Sequence, residues 1–214
     1  MFDFLKRRAA KSGPPPIPDY FIEGGHLSEE QIDRKRRNEL RLFKEGVRIN
    51  PHLPCIEHSG EVQLREPTEV YRRFVAITLV ATCAAERAEG DPHGDIDELI
   101  AKVIADRGAS DWFTERERAY LDSRETDMHE SVQLSWRYEA AVPLYWALGQ
   151  GNAQLDRPIS MCDVSALTIA ARDNTELATG PLRDVAAILD EADLIFRYHW
   201  AVRESSLDGK PSGG

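Results

Sequence analysis

Long apolar runs are missing from this 214-residue sequence. No stretch approaches the ~20 consecutive apolar residues that a membrane-spanning helix needs. At the N-terminus Phe2 and Phe4 precede the basic residues Lys6 to Arg8, which reverses the order of a signal peptide, and no apolar segment follows. These absences predict a protein that is not secreted and that has no membrane partner.

Cysteine is scarce, and its three copies are far apart. Cys55, Cys83 and Cys162 form neither a CxxC pair nor a disulfide framework. This usage is typical of the reducing cytosol, so we predict a cytoplasmic location. His52, Cys55 and His58 are possible zinc ligands in a proline-rich loop, but they lack a fourth ligand and zinc-site spacing. We therefore predict no metal site and no other cofactor.

Motifs for catalysis are absent as well. The sequence has no glycine-rich phosphate loop and no GxSxG nucleophile elbow. Cys162 precedes Asp163 at a predicted helix start, where the helix dipole could lower the thiol pKa. No accompanying nucleophile motif supports that hypothesis, so we favour a small buried residue beside a capping aspartate. No catalytic residue is assigned.

Positive charge is in short supply outside the first fifty residues. The chain has 27 Lys or Arg against 37 Asp or Glu, a net charge of -10, and the first fifty residues hold eleven against eight. The remainder is therefore strongly acidic, which disfavours nucleic acid and favours a basic protein partner. The basic run Arg34 to Arg37 spreads over about 300° of a helix, so we interpret it as a solvated helix face.

Helical periodicity, in contrast, runs through most of the chain. Hydrophobic residues make up 42% of the sequence, which is enough for a core, and no alternating run predicts a sheet. We predict an all-α fold, a single globular multi-helix domain over residues 28–207. A flexible proline-rich leader (1–25) precedes it and a disordered tail (208–214) follows it. Capping boxes mark three helix starts: Ser28 with Gln31, Asp95 with Glu98, and Thr114 with Glu117.

The segment 135–148 is apolar around its whole helical projection, so we predict that it forms the central helix of the bundle. Its only charges, Arg137 and Glu139, point about 200° apart, so at least one must find a partner inside or reach the surface. We expect Glu139 to be buried and paired with an arginine. Charges on other apolar helices should join them in a polar cluster. We favour a structural network over a functional site for the candidate residues, which are Arg65, Glu69, Trp136, Arg137, Glu139, Asp193, Arg197 and His199.

Several blocks together resemble one protein family. They are Arg37 to Pro54, Leu64-Arg65-Glu66 with Glu69, Phe113 to Glu117, Ser135 to Ala140 with Trp146 to Gly149, Pro158 with Cys162 to Val164, and Ile188 to Leu194 with Arg197 to Ala201. Over about residues 34 to 210 the chain resembles the domain-of-unknown-function 4272 family. The resemblance implies a mostly helical cytosolic protein and brings no activity, cofactor or catalytic residue. Members usually continue with a segment like Glu-Arg-His and then Leu-Asn-Trp, which we expect this chain to lack because it stops at Gly214.

Two classes of function follow from these patterns. The leading one is a non-catalytic module that binds a basic protein, through its acidic surface or the groove beside the central helix; an immunity-like or antitoxin-like inhibitor is one version. The competing class is a small-molecule binder or enzyme that uses Arg137 as an anion clamp, Glu139 as acid or base, and His199. An open pocket at Arg137, Glu139 and His199 would favour the second class, and a sealed network with an exposed apolar patch elsewhere would favour the first. The sequence does not indicate an oligomeric state.

Overall fold

The computed structural model describes residues 14–18, 27–90, 95–123, 127–151, 155 and 161–208. Within these ranges the regular secondary structure is helical, and no β-strand is present. The all-α prediction is confirmed. The predicted leader and tail lie outside the described residues, except for residues 14–18 and 208. The helices, in order, are α1 Glu29–Lys44, α2 Pro67–Glu89, α3 Asp95–Arg107, α4 Glu115–Asp122, α5 Met128–Ser135, α6 Tyr138–Ala147, α7 Val164–Asp173, the 3-10 helix Thr175–Ala178, and α8 Val185–Asp208.

The chain divides into two compact units. The terminal unit comprises Met1–Leu64 and Asp184–Gly214, and the central unit comprises Arg65–Arg183. We describe each unit by itself. The predicted single domain over 28–207 spans residues of both and stays a prediction.

Helix α2 is the most buried helix of the central unit. Eleven of its residues are buried, including every residue from Phe74 to Ala81. Pro67 occupies its first turn, and Gly90 ends it with a left-handed φ of 83°. Helices α3 to α7 and the 3-10 helix all pack against it. The core of this unit is therefore built around α2.

The structure differs at the predicted central helix, 135–148. Two helices occupy this region, because α5 ends at Ser135 and α6 begins only at Tyr138. In α6 only Tyr138 and Ala141 are buried, and the other described side chains of the helix are partly or fully exposed. An apolar surface on all sides does not require burial on all sides, since much of any protein surface is apolar. Helix α2, with its longer run of small and β-branched residues, takes the central position instead.

Helices α1 and α8 pack together in the terminal unit through a small apolar cluster and a network of buried charges. The cluster contains Leu42, Val47, Leu194, Tyr198 and Ala201. In the network, both carboxylate oxygens of Asp193 accept hydrogen bonds of 2.8 Å from Arg197. Arg197 also pairs with Glu39 at 3.2 Å, and Glu39 pairs with Lys35 at 3.2 Å. All four charged residues are buried, so their charges are balanced by one another.

The interpretation of Arg34 to Arg37 as a solvated face is wrong for its first two residues. Arg34 and Lys35 are buried, whereas Arg36 and Arg37 are exposed. The reason lies in the irregular loop that follows α1, whose carbonyl groups have no helix or sheet partners and need donors. Lys35 Nζ donates to the carbonyls of Pro51 (2.8 Å) and Leu53 (2.6 Å), and Arg34 donates to the carbonyl of Glu57 (2.8 Å). Burial lowers the pKa of Lys35, and the opposing charge of Glu39 only partly offsets this.

Adjacent residues of this run provide a matched test. We expect Lys35→Met to lower the free energy of unfolding by about 3–5 kcal/mol, because Glu39 and two loop carbonyls lose their buried donor. Arg36→Met should change it by no more than about 0.5 kcal/mol, since Arg36 is exposed. Urea unfolding monitored by circular dichroism measures both. Equal effects of the two substitutions would contradict the role of Lys35 in anchoring the loop.

Candidate functional site

The central unit encloses a carboxylate, Glu117, whose side chain is 0% exposed. Glu117 is the third residue of α4 and completes a capping box with Thr114. The Thr114 amide donates to Glu117 Oε2 at 3.0 Å, and the Glu117 amide donates to Thr114 Oγ1 at 3.3 Å. The predicted capping box is thus present, and it fixes a negative charge inside the unit.

Two arginines neutralise this carboxylate. Arg73 of α2 donates to both oxygens of Glu117 at 2.7 Å, and Arg137, between α5 and α6, pairs with Oε1 at 2.7 Å. Burial alone would raise the pKa of Glu117, but the hydrogen bonds from Arg73 and Thr114 and the two arginine charges lower it to about 2. We call Arg73, Glu117 and Arg137 the Glu117 clamp. The clamp joins α2, α4 and the segment that links α5 to α6.

An open cleft of about 510 Å³ lies beside Arg73. Its volume is in the range of small-molecule sites. The guanidinium of Arg72 lies over the Trp112 ring, 5.5 Å from the centroid, and the exposed pair Arg65 and Glu69 approaches to 3.6 Å. We call this feature the arginine cleft. Its lining residues are Arg65, Glu69, Val70, Arg72, Arg73, Asp111, Trp112 and Leu144.

On α5 a row of large apolar side chains is exposed. Met128, Val132 and Trp136 are spaced four residues apart, and they are 56%, 39% and 59% exposed. Trp136 follows the last residue of α5 but keeps helical angles (φ -63°, ψ -9°), so the row continues along one face. We call these three residues the apolar stripe.

The eight residues of the predicted polar cluster divide between the two units. In the central unit, Arg137 belongs to the Glu117 clamp and Trp136 to the apolar stripe, while Arg65 and Glu69 line the arginine cleft. In the terminal unit, Asp193 and Arg197 are buried partners of each other, and His199 is exposed.

The expectation that Glu139 is buried and paired with an arginine is wrong. Glu139 is exposed in the first turn of α6, where its Oε1 accepts a hydrogen bond from the Cys162 amide at 2.9 Å. Arg137 turns to Glu117 instead. The hypothesis of a lowered thiol pKa at Cys162 is also wrong, because burial and the nearby charge of Glu139 raise that pKa to about 11.

Sequence reasoning missed Glu117 and Arg73 as members of a site. Glu117 had been assigned only a capping role, although a capping glutamate has a second oxygen that can bind a cation. Arg73 directly precedes the buried run that starts at Phe74, and a charge next to such a run needs a partner. Together, the two signals could have suggested the clamp.

The described ranges offer neither a metal-binding cluster nor a bilayer-crossing helix. In them, no group of three or more His, Cys, Asp or Glu side chains could hold a metal ion. His58, one of the three residues weighed as zinc ligands, accepts a hydrogen bond from the Gly60 amide through Nδ1 at 2.9 Å. None of the helices described above is both long and apolar enough to cross a bilayer.

Two glutamates with opposite environments test the clamp. We expect Glu117→Ala to lower the free energy of unfolding by about 3–5 kcal/mol, because Arg73 and Arg137 lose the carboxylate that neutralises them. Glu139→Ala should cost about 1 kcal/mol or less, since it removes one exposed hydrogen bond. Chemical denaturation measures the free energy of unfolding of both variants. A larger cost for Glu139→Ala than for Glu117→Ala would refute the assignment.

The pH dependence of the stability that Glu117 contributes gives a second test. The pKa of Glu117 in the folded protein, about 2, is below the ordinary 4.5, so its charge contributes stability above pH 4.5 that is lost as the pH falls toward 2. The difference in unfolding free energy between the wild type and Glu117→Gln should therefore shrink on acidification. Urea unfolding at several pH values measures it, with Glu139→Gln as the control. A difference that stays constant down to pH 2 would exclude a lowered pKa.

Comparison with known proteins identifies one family. The family model described as a domain of unknown function (DUF4272) matches residues 34–214. No curated protein and no solved structure matches the chain. The matched residues include the Glu117 clamp, the arginine cleft and the apolar stripe, and they account for most of the sequence. The chain therefore belongs to the DUF4272 family.

Proposed function

We propose that this protein is a non-catalytic cytoplasmic module that binds a basic protein through the apolar stripe. The observation that carries the proposal is the exposure of Met128, Val132 and Trp136 along one helical face. Contiguous exposed apolar side chains mark interaction surfaces more often than isolated ones do. Tryptophan is also among the residues that contribute most to binding energy at protein interfaces.

The stripe is held on a rigid support. Behind it, Leu134 is buried, and the Tyr120 hydroxyl and the Ser131 hydroxyl share a hydrogen bond of 2.8 Å that ties α4 to α5. Arg137, the residue after Trp136, is fixed by Glu117. Side chains presented on an ordered element lose little conformational freedom on binding, which favours affinity.

The negative net charge of the chain supports the proposal of a basic partner. The chain has a net charge of -10, and two acidic residues are near the stripe in sequence: Asp127, the N-cap of α5, and Glu130, which also pairs with Arg116 at 3.2 Å. An acidic surface around an apolar centre accelerates association with a basic protein and disfavours acidic ones. An immunity-like or antitoxin-like inhibitor of a basic protein is one version of this function, supported by size, acidity and the lack of catalytic motifs in the sequence.

The enzymatic alternative has less support. It required Arg137, Glu139 and His199 to act together, but Arg137 is bound to Glu117 and Glu139 to the Cys162 amide. Small-molecule binding without catalysis has a separate observation in its favour, the arginine cleft.

Affinity purification of the full chain from native cells, followed by binding measurements with the purified partner, tests the proposal. We expect a stoichiometric partner of net positive charge, whose association slows as salt concentration rises. Trp136→Ala should weaken binding by about 30-fold, equivalent to about 2 kcal/mol. Leu99→Ala on α3, where Leu99 is also exposed, is the control and should bind like the wild type. A partner that binds Trp136→Ala and wild type equally, or the absence of any stoichiometric partner, would overturn the proposal.

A further inference from the structure

Arg72 is an exposed arginine with an ordered guanidinium and no acidic partner among the described residues. Its one contact of note is with Trp112, whose ring centroid lies 5.5 Å from the guanidinium carbon. Trp112 is itself held by the edge of the Tyr71 ring, with a centroid distance of 6.2 Å. This cation–π contact holds the guanidinium beside the indole ring and leaves its N–H groups available for hydrogen bonds to an anion.

Arg73, the next residue, is ordered for a different reason. Two of its nitrogens are bound to Glu117, and the residue also lines the arginine cleft. A guanidinium has five N–H groups, so a bidentate pair with one carboxylate leaves others for a ligand. The cleft thus contains two adjacent arginines whose positions are set before any ligand enters, which reduces the entropic cost of binding.

The charge and polarity of the lining restrict the ligand further. Three arginines and two carboxylates line the cleft, a surplus of one positive charge, and the pair of Glu117 and Arg137 adds none. The arginines favour a carboxylate on the ligand, and the two lining carboxylates can neutralise a cationic group on the same ligand. The carboxylates of Glu69 and Asp111 can accept hydrogen bonds but cannot donate them, so a fitting ligand also carries hydrogen-bond donors. The remaining lining residues, Val70, Trp112 and Leu144, offer apolar surface.

We propose that the arginine cleft binds a peptide-like carboxylate. The carboxylate binds Arg72 and Arg73, its amine or amide donors face Glu69 and Asp111, and its apolar side chain packs on Val70, Trp112 and Leu144. A free amino acid and a short peptide share this chemistry. This site is separate from the apolar stripe and does not rest on the function proposed for that surface.

Calorimetric titration of the full chain with leucyl-leucine tests the inference. We expect leucyl-leucine to bind saturably with 1:1 stoichiometry. Leucyl-leucine amide, which lacks the carboxylate, should bind about tenfold or more weakly. N-acetyl-leucyl-leucine, which lacks the ammonium group, should also bind more weakly than leucyl-leucine. Arg72→Gln should cause a similar tenfold loss. Arg118→Gln removes an exposed arginine of α4 outside the lining and should bind normally.

Further titrations distinguish a peptide ligand from a free amino acid and from a simple anion. Titration with leucine alone distinguishes a site for a free amino acid, if it binds as tightly as the dipeptide, from a site for a peptide. Acetate and inorganic phosphate are the simple-anion probes and should bind far more weakly than leucyl-leucine. The inference is overturned if leucyl-leucine fails to bind, if its amide binds equally well, if Arg72→Gln binds like the wild type, or if a simple anion binds as tightly as the dipeptide.

Discussion

The central unit depends on one buried carboxylate that is shared by two arginines. Glu117 is a capping residue of α4 and is also the counter-ion of Arg73 on α2 and of Arg137 beside α6. A charge in this position is unfavourable unless every lone pair is used, and here the Thr114 amide and the two guanidinium groups use them. The same pairs order Arg73 in the arginine cleft and Arg137 next to Trp136. A single electrostatic contact thereby organises both surfaces to which we assign binding.

Local features were predictable from sequence, and the partners of charges were not. The capping boxes at Ser28 and Thr114 and the start of α2 at Pro67 involve residues within one turn, so their geometry can be read from a few neighbours. Glu117 and Glu139 are the same residue type, and both lie in the first turn of a helix. Which of them is buried depends on distant residues. Glu117 is bound by Arg73, 44 positions earlier in the chain, and Glu139 is bound by the Cys162 amide, 23 positions later. The sequence contains no spacing rule for such contacts.

The terminal unit shows a related constraint. A loop interrupted by prolines, such as the segment from Asn50 to Glu57, leaves carbonyl groups without backbone donors. Gln31, Arg34 and Lys35 on α1 supply these donors from one helix face. Charge density in the sequence indicates solvent or nucleic acid for this run, because it does not show which neutral carbonyls lie close enough to accept hydrogen bonds from a buried arginine or lysine. The demand for donors from a neighbouring loop outweighed the preference of arginine and lysine for water.

The surroundings of the thiols determine how the protein reacts with oxidants and alkylating reagents. Cys83 is buried against Asp97, and burial raises the pKa of Cys55. With a pKa of about 11, Cys162 is almost entirely protonated at neutral pH, and the protonated form is a poor nucleophile. A cysteine introduced at an exposed position such as Met128 would outcompete Cys55 and Cys162 for a thiol-specific label. Fluorescent or spin probes can therefore be attached to the surface without first removing these native cysteines.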